Sequence, residues 1–79
     1  MIAFEKLARF FPLTAEAVAR GADAQAIQGA FDQDVDLLRG KGLIAPLESA
    51  AGMVCIECDG PVRVSFSEDN AIVQRLLRS

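Results

Sequence analysis

Apolar positions in this chain fall first at helical spacing and later in alternation, and the change of period divides it. Over residues 2–11, Ile2, Phe4, Leu7, Ala8 and Phe11 form a helical stripe, with Glu5, Lys6 and Arg9 on the other side. That pattern predicts a first helix, stopped by Pro12. Thr14 suits an N-cap for a short second helix over Ala15–Ala19, which Gly21 terminates. Asp23 is the next N-cap, opening a third helix that runs to about Arg39. Here Ile27, Phe31, Val35 (or its neighbour Leu37) and Leu38 follow i, i+4, i+8, i+11 and should face the core. Gly40 or Gly42 supplies the left-handed turn out of that helix.

From Leu43 the period shortens. Leu43-Ile44-Ala45 before Pro46 reads as a short edge strand, and residues 49–52 as a loop. Two β-rich runs follow, 53–58 and 62–66, joined by Asp59-Gly60, a strong hairpin signal. Pro61 fits only the start of an edge strand. Alternation sets Val62, Val64 and Phe66 on one face, matched by Val54, Ile56 and Cys58. Ser67 then caps a closing helix from Glu68 to about Arg78. The expectation is an α+β fold in a single domain, 1–79.

Helix, helix, helix, hairpin, helix is an order that resembles the winged helix-turn-helix superfamily. The residues that carry the likeness are Leu13-Thr14-Ala15-Glu16-Ala17-Val18-Ala19 and a helix ending Val35-Asp36-Leu37-Leu38-Arg39-Gly40-Lys41-Gly42-Leu43-Ile44. The likeness implies a three-helix winged-helix-like domain with a β-hairpin and a C-terminal helix, the third helix standing where that family reads DNA. The likeness spans residues 2–66, and its motif is degenerate.

Charge disagrees with that implication. The third helix carries Asp23, Asp32, Asp34 and Asp36 and no base before Arg39, and the whole chain has net charge −3. Most nucleic-acid affinity comes from neutralising phosphates, so the balance is the reverse of what a general binder needs. Asp32 and Asp36 share a face at i, i+4 spacing and repel a phosphate backbone. Only Arg39, Lys41 and Arg63, on the helix end and the expected wing, remain for a winged-helix regulator that contacts DNA. The acidic residues Asp23, Asp32, Asp34 and Asp36, with Gln28 and Gln33, are instead the candidate partner-binding set. The partner they suit is a basic, nucleic-acid-handling protein, for which they compete with DNA or RNA. A third possibility is a winged-helix adaptor within a larger assembly, anchored by Phe10 or Phe11 if either is left exposed beside Pro12.

Other chemistry is sparse. Asp32-Gln33-Asp34-Val35-Asp36 imitates the opening of a calcium loop, but Leu37 stands where glycine is needed and Leu43 where the bidentate glutamate is needed. Cys55-Ile56-Glu57-Cys58 offers two of the four ligands zinc wants, and there is no histidine or further cysteine, so a zinc site would have to bridge two copies. Within a strand the two thiols point to opposite faces, with Cys58 a small core residue and Cys55 exposed. With no histidine, tyrosine or tryptophan and no glycine-rich phosphate loop, the chain reads as a non-enzyme with no cofactor and no metal.

A chain of 79 residues buries only roughly 60% of the surface it exposes when unfolded, so a homodimer or a partner is one way to supplement its core. No apolar run approaches the ~20 residues of a membrane span, and Glu5, Lys6 and Arg9 interrupt any signal-peptide pattern. The expected setting is cytoplasmic. In size, acidity and lack of catalytic residues the chain also resembles small phage-encoded inhibitors, anti-CRISPR proteins among them. That likeness is one of composition; it implies inhibition by protein–protein contact in the host cytoplasm and transfers no site residues.

Overall fold

The computed structural model describes residues Met1–Ser79 as three helices against a three-stranded antiparallel sheet, an α+β arrangement. In chain order these are β1 (Ile2–Ala3), α1 (Pro12–Ala19), α2 (Ala24–Gly40), β2 (Val54–Glu57), β3 (Arg63–Phe66) and α3 (Ala71–Leu77). The sheet order is β1-β3-β2, so the first strand lies beside the last.

The segment expected as a first helix is instead β1 followed by two 3-10 turns, Phe4–Lys6 and Ala8–Phe10. Ile2 pairs with Phe66 and Ala3 with Ser65, so the sheet claims the start of the segment. The remainder repeats every three residues: Leu7 N donates to the Phe4 carbonyl and Phe10 N to that of Leu7. A three-residue period places Phe4 and Leu7 on one side, where both are buried, and it fits a 3-10 turn better than an α-helix.

Pro12 does not stop a helix; it starts α1, at the first position, where a missing N–H costs nothing. Helix α1 therefore begins before Thr14, which is not its N-cap and is wholly buried. Helix α2 begins after Asp23, whose carboxylate accepts from Ala26 N at 2.9 Å. It ends through Gly42 at φ +79°, with Leu43 N returning to the Leu38 carbonyl and Gly42 N to that of Arg39. This tight ending leaves no strand at Leu43–Ala45. Ile44 is buried, and Pro46 leads an Ala45–Glu48 turn closed by Glu48 N on the Ala45 carbonyl.

The hairpin register pairs Val54 with Phe66 and Ile56 with Val64, the faces that alternation implies. Its ladder ends at Glu57–Arg63, so the connection is five residues, 58–62, rather than Asp59-Gly60 alone. Pro61 has no N–H to give the ladder and sits in this loop instead of opening the strand. Cys58 falls outside the ladder and is exposed, not a core residue. The closing helix also starts later than Glu68. Ser67 N extends the hairpin by donating to the Met53 carbonyl, and Asn70 is the cap, accepting from Ile72 N and Val73 N at 2.9 and 3.2 Å.

The core joins every layer. Phe11 stacks on Phe31 of α2 at 5.1 Å between ring centroids, tilts against Phe66 of β3 at 5.1 Å, and Phe66 stacks on Phe4 at 5.6 Å. Leu7, Val35, Leu38, Ile44, Met53, Ile72, Val73 and Leu76 complete it. Phe11 is therefore no surface anchor, and Phe10 is half-buried beneath the Arg9 guanidinium, 4.8 Å from its ring centre. Arg9 also donates to the Ser79 carbonyl at 2.9 Å, tying this segment to the end of α3. No helix is long and apolar enough to cross a membrane.

Candidate interaction face

Helix α2 presents two flanks. Inward it buries Ile27, Phe31, Val35 and Leu38, the stripe implied by its spacing. Asp34 lies on the same flank, seven residues after Ile27 and three after Phe31, and is wholly buried.

Its carboxylate closes the start of α1. The N-cap there is Phe11, which has no side-chain acceptor, and Pro12 has no N–H. The two donors left without helical partners are Leu13 N and Thr14 N. Leu13 N donates to Asp34 Oδ1 at 3.2 Å, Thr14 N to Oδ2 at 2.8 Å, and the Thr14 hydroxyl to Oδ2 at 2.7 Å. Phe11 N goes to the Ala8 carbonyl and Ala15 N to the Phe11 carbonyl, so every donor of the first turn is satisfied. A carboxylate at a helix N-terminus also meets the positive end of the helix dipole. Asp34 thus belongs to the fold and leaves the partner-binding set.

The other members of that set are exposed: Asp23, Gln28, Asp32, Gln33 and Asp36. Asp23 is engaged as the α2 cap. Gln28 Nε2 donates to Asp32 Oδ1 at 3.1 Å, one turn apart. Asp36 lies 3.5 Å from Arg39 Nη1. Leu37, half-exposed at 50%, stands beside Asp36 on the same outward side of the helix. Asp32 and Asp36 face solvent while Asp34 faces α1, so the three alternating aspartates do not converge on one point, as a calcium loop would require.

Arg39, the one base of α2, bridges from Asp36 on this face to the Ala45–Glu48 turn. Its Nη2 donates to the Glu48 carbonyl at 2.7 Å, pinning the Ala45–Glu48 turn. Glu48 fixes the same turn from its side chain, accepting from Arg75 Nη2 at 2.5 Å and from Ala45 N at 3.2 Å. The Arg75 hydrogen bond, helped by the Ala45 amide, lowers the Glu48 carboxyl below its ordinary range. Of the three bases named for DNA contact, Arg39 is therefore occupied, while Lys41 and Arg63 are exposed. Cys55 and Cys58 are both exposed free thiols.

Comparison of the chain with family models, curated proteins and solved structures gives no match in any of the three.

Proposed function

We propose that this chain is a non-enzymatic interaction module whose outward α2 face binds a basic, nucleic-acid-handling protein and competes there with DNA or RNA. The observation that carries the reading is the disposition of Arg39. Because its guanidinium is spent on Glu48 and Asp36, the outward face of α2 offers Asp32, Asp36, Gln28, Gln33 and Leu37 with no free cation among them. Such a face repels phosphate and suits a cationic protein groove, with Leu37 as an apolar contact at its end. The face is smaller than the sequence implied, since Asp34 is excluded from it.

As a fold, the reading remains winged-helix-like. Helices α1 and α2 are joined by a four-residue turn, Arg20–Asp23, and the hairpin follows α2 with β1 as its third strand. The chain departs from that pattern where 3-10 turns replace the first helix. The chain's size and acidity, rather than its geometry, are what suit it to a phage-type, anti-CRISPR-like inhibitor acting in a host cytoplasm.

The test is capture from bacterial lysate on immobilised protein at low and high salt, beside an Asp32→Lys/Asp36→Lys variant. The expected outcome is a salt-sensitive capture of nucleic-acid-binding proteins that added duplex DNA displaces and the variant loses. Capture unchanged in the variant overturns the reading. So does a gel shift of random duplex DNA by the native chain at low salt, which favours the regulator acting through Lys41 and Arg63.

A further inference from the structure

Strand β2 is an edge strand, with β3 on one side and no strand on the other. The hydrogen-bond phase of the hairpin decides which of its backbone groups face outward. Ser67 N donates to the Met53 carbonyl, and these two residues stand opposite each other in the register that pairs Val54 with Phe66. Groups alternate along an antiparallel ladder, so Met53, Cys55 and Glu57 turn theirs toward β3, while Val54 and Ile56 turn theirs away. No strand lies beside Val54 and Ile56, and no turn, cap or loop bond reaches them, so their N–H and carbonyl groups are open.

Sheets commonly guard such an edge with lysine, proline or a bulge. Val54-Cys55-Ile56-Glu57 has no lysine or proline and pairs residue for residue with β3. Its outer-face side chains, Cys55 and Glu57, are both exposed, and the Cys55 thiol is free.

We infer that this edge receives a second copy of the chain, the two β2 strands antiparallel about a two-fold axis at Cys55, where the opposed thiols form a disulfide under oxidation. Symmetry leaves few registers. A two-fold at Glu57 sets two carboxylates directly opposite each other, which is unfavourable. One at Val54 pairs Ile56 with Gly52, whose φ of +80° is not that of a strand. One at Ile56 sets Val54 against Cys58, which has left the ladder. The two-fold at Cys55 joins strand residues alone. Val54 of each copy faces Ile56 of the other, and each such pair exchanges two hydrogen bonds between groups that are open in the single chain. Cys55 then occupies a pair without hydrogen bonds, where Cα atoms stand about 4.5 Å apart, within disulfide range. Backbone groups accept any strand; the thiol opposite Cys55 is what a second copy supplies by symmetry.

Contact along one short strand falls below the ~1,200 Å² of a stable interface, so the unlinked pair is weak and the disulfide makes it persist. The oxidant is a low-molecular-weight disulfide such as oxidised glutathione. The Cys55 thiolate attacks one of its sulfurs and releases a glutathione thiolate. The second copy's Cys55 thiolate then attacks the Cys55 sulfur of this mixed disulfide and releases the other. Two protein thiols become one disulfide, the glutathione disulfide becomes two thiols, and the two protons pass to the leaving thiolates. Cys58 has no thiol opposite it in this register. Within one chain it lies three residues of nearly extended backbone from Cys55, about 10 Å, beyond disulfide reach. The pairing uses no residue of the outward α2 face, so it stands or falls separately from the function proposed above.

The experiment incubates the full chain with oxidised glutathione, beside Cys55→Ser, Cys58→Ser and Ile56→Pro, and follows mass and backbone amide exchange. The native chain and Cys58→Ser should give a dimer of twice the chain mass less two hydrogens, while Cys55→Ser stays monomeric. In the dimer the Val54 and Ile56 amides should exchange about tenfold more slowly than in the reduced monomer. Ile56→Pro, a change that an edge strand tolerates, removes two of the four hydrogen bonds and should slow dimer formation about tenfold. Amide exchange in the native dimer decides the matter without that variant. A dimer from Cys55→Ser overturns the inference, as does a monomer two hydrogens lighter, or one that only takes up glutathione or stays reduced. A Cys55-linked dimer whose Val54 and Ile56 amides exchange as fast as in the monomer also overturns it, being a surface crosslink without strand pairing.

Discussion

On the flank of α2 that faces α1, Asp34 is wholly buried and accepts three hydrogen bonds; on the flank that faces solvent, Asp32 and Asp36 are exposed with one polar contact each. The residue type and the helix are the same, and the positions are two apart. What separates them is whether donors in need of an acceptor arrive from elsewhere. The first turn of α1 brings two backbone N–H groups and a hydroxyl to Asp34. Nothing of the kind reaches the outer pair, which remains available to solvent or to a partner. A buried carboxylate is tolerated only when its oxygens are satisfied, and here the satisfaction is mutual.

The largest break in this comparison is Asp34→Ala. It strands Leu13 N, Thr14 N and the Thr14 hydroxyl in a dry site and should cost about 3–5 kcal/mol. That approaches the whole stability of a small domain, at the lower end roughly 5 kcal/mol. Urea denaturation read by circular dichroism measures it. Thr14→Val sharpens the result, because it removes one donor and leaves two, with an expected loss of about 1–2 kcal/mol. In a double-mutant cycle the pair should be strongly non-additive. Additive losses would mean that Asp34 and Thr14 act through separate contacts.

Gly42→Ala is next. Placing a Cβ at φ +79° should cost about 1 kcal/mol by strain alone, since open space surrounds the position. A variant as stable as the native chain would show that α2 can end without the left-handed residue.

Acid should act on the Ala45–Glu48 turn. Glu48 has a depressed folded-state pKa, so its contribution is complete above the ordinary carboxylate pKa and is lost as pH falls through the lower folded value. The Ala45 amide signal should therefore move with a midpoint below the ordinary carboxylate range, and Glu48→Gln should abolish that movement. A midpoint at the ordinary value would contradict the Arg75 contact.

The smallest effect belongs to the outer flank. Asp32→Lys/Asp36→Lys should change stability by no more than about 1 kcal/mol, because exposed charges contribute little. A loss as large as that of Asp34→Ala would dissolve the distinction between the flanks.

How much of this was legible beforehand depends on the range of the physical signal. Position 34 shares the apolar stripe of Ile27, Phe31 and Leu38, so its burial was readable from spacing. The charge of its side chain concealed it, because the donors that make burial tolerable lie twenty residues away. The 3-10 turns were hidden in a similar way. Ile2, Phe4, Leu7, Ala8 and Phe11 satisfy a helical stripe, and only pairing with β3 decides that the segment begins as a strand. Of the candidate face, Asp32, Asp36, Gln28 and Gln33 were correctly placed on the surface by their position opposite the stripe. The engagement of Arg39 with Glu48 was not legible, since no local pattern links residue 39 to a carbonyl in a later turn.

By itself the sequence determined what depends on neighbours within a turn or two. It set the amphipathic run of α2 with its Asp23 cap and an ending at Gly40 or Gly42, and the alternation of the hairpin with Phe66 inward. Periodicity is written in adjacent residues, so it needs no knowledge of the fold. Only the tertiary structure decided which aspartate is buried, which arginine is free, that Cys58 leaves the ladder, and that β1 covers just half of β3. Each of these turns on where a donor, an acceptor or a strand edge arrives from a distant part of the chain.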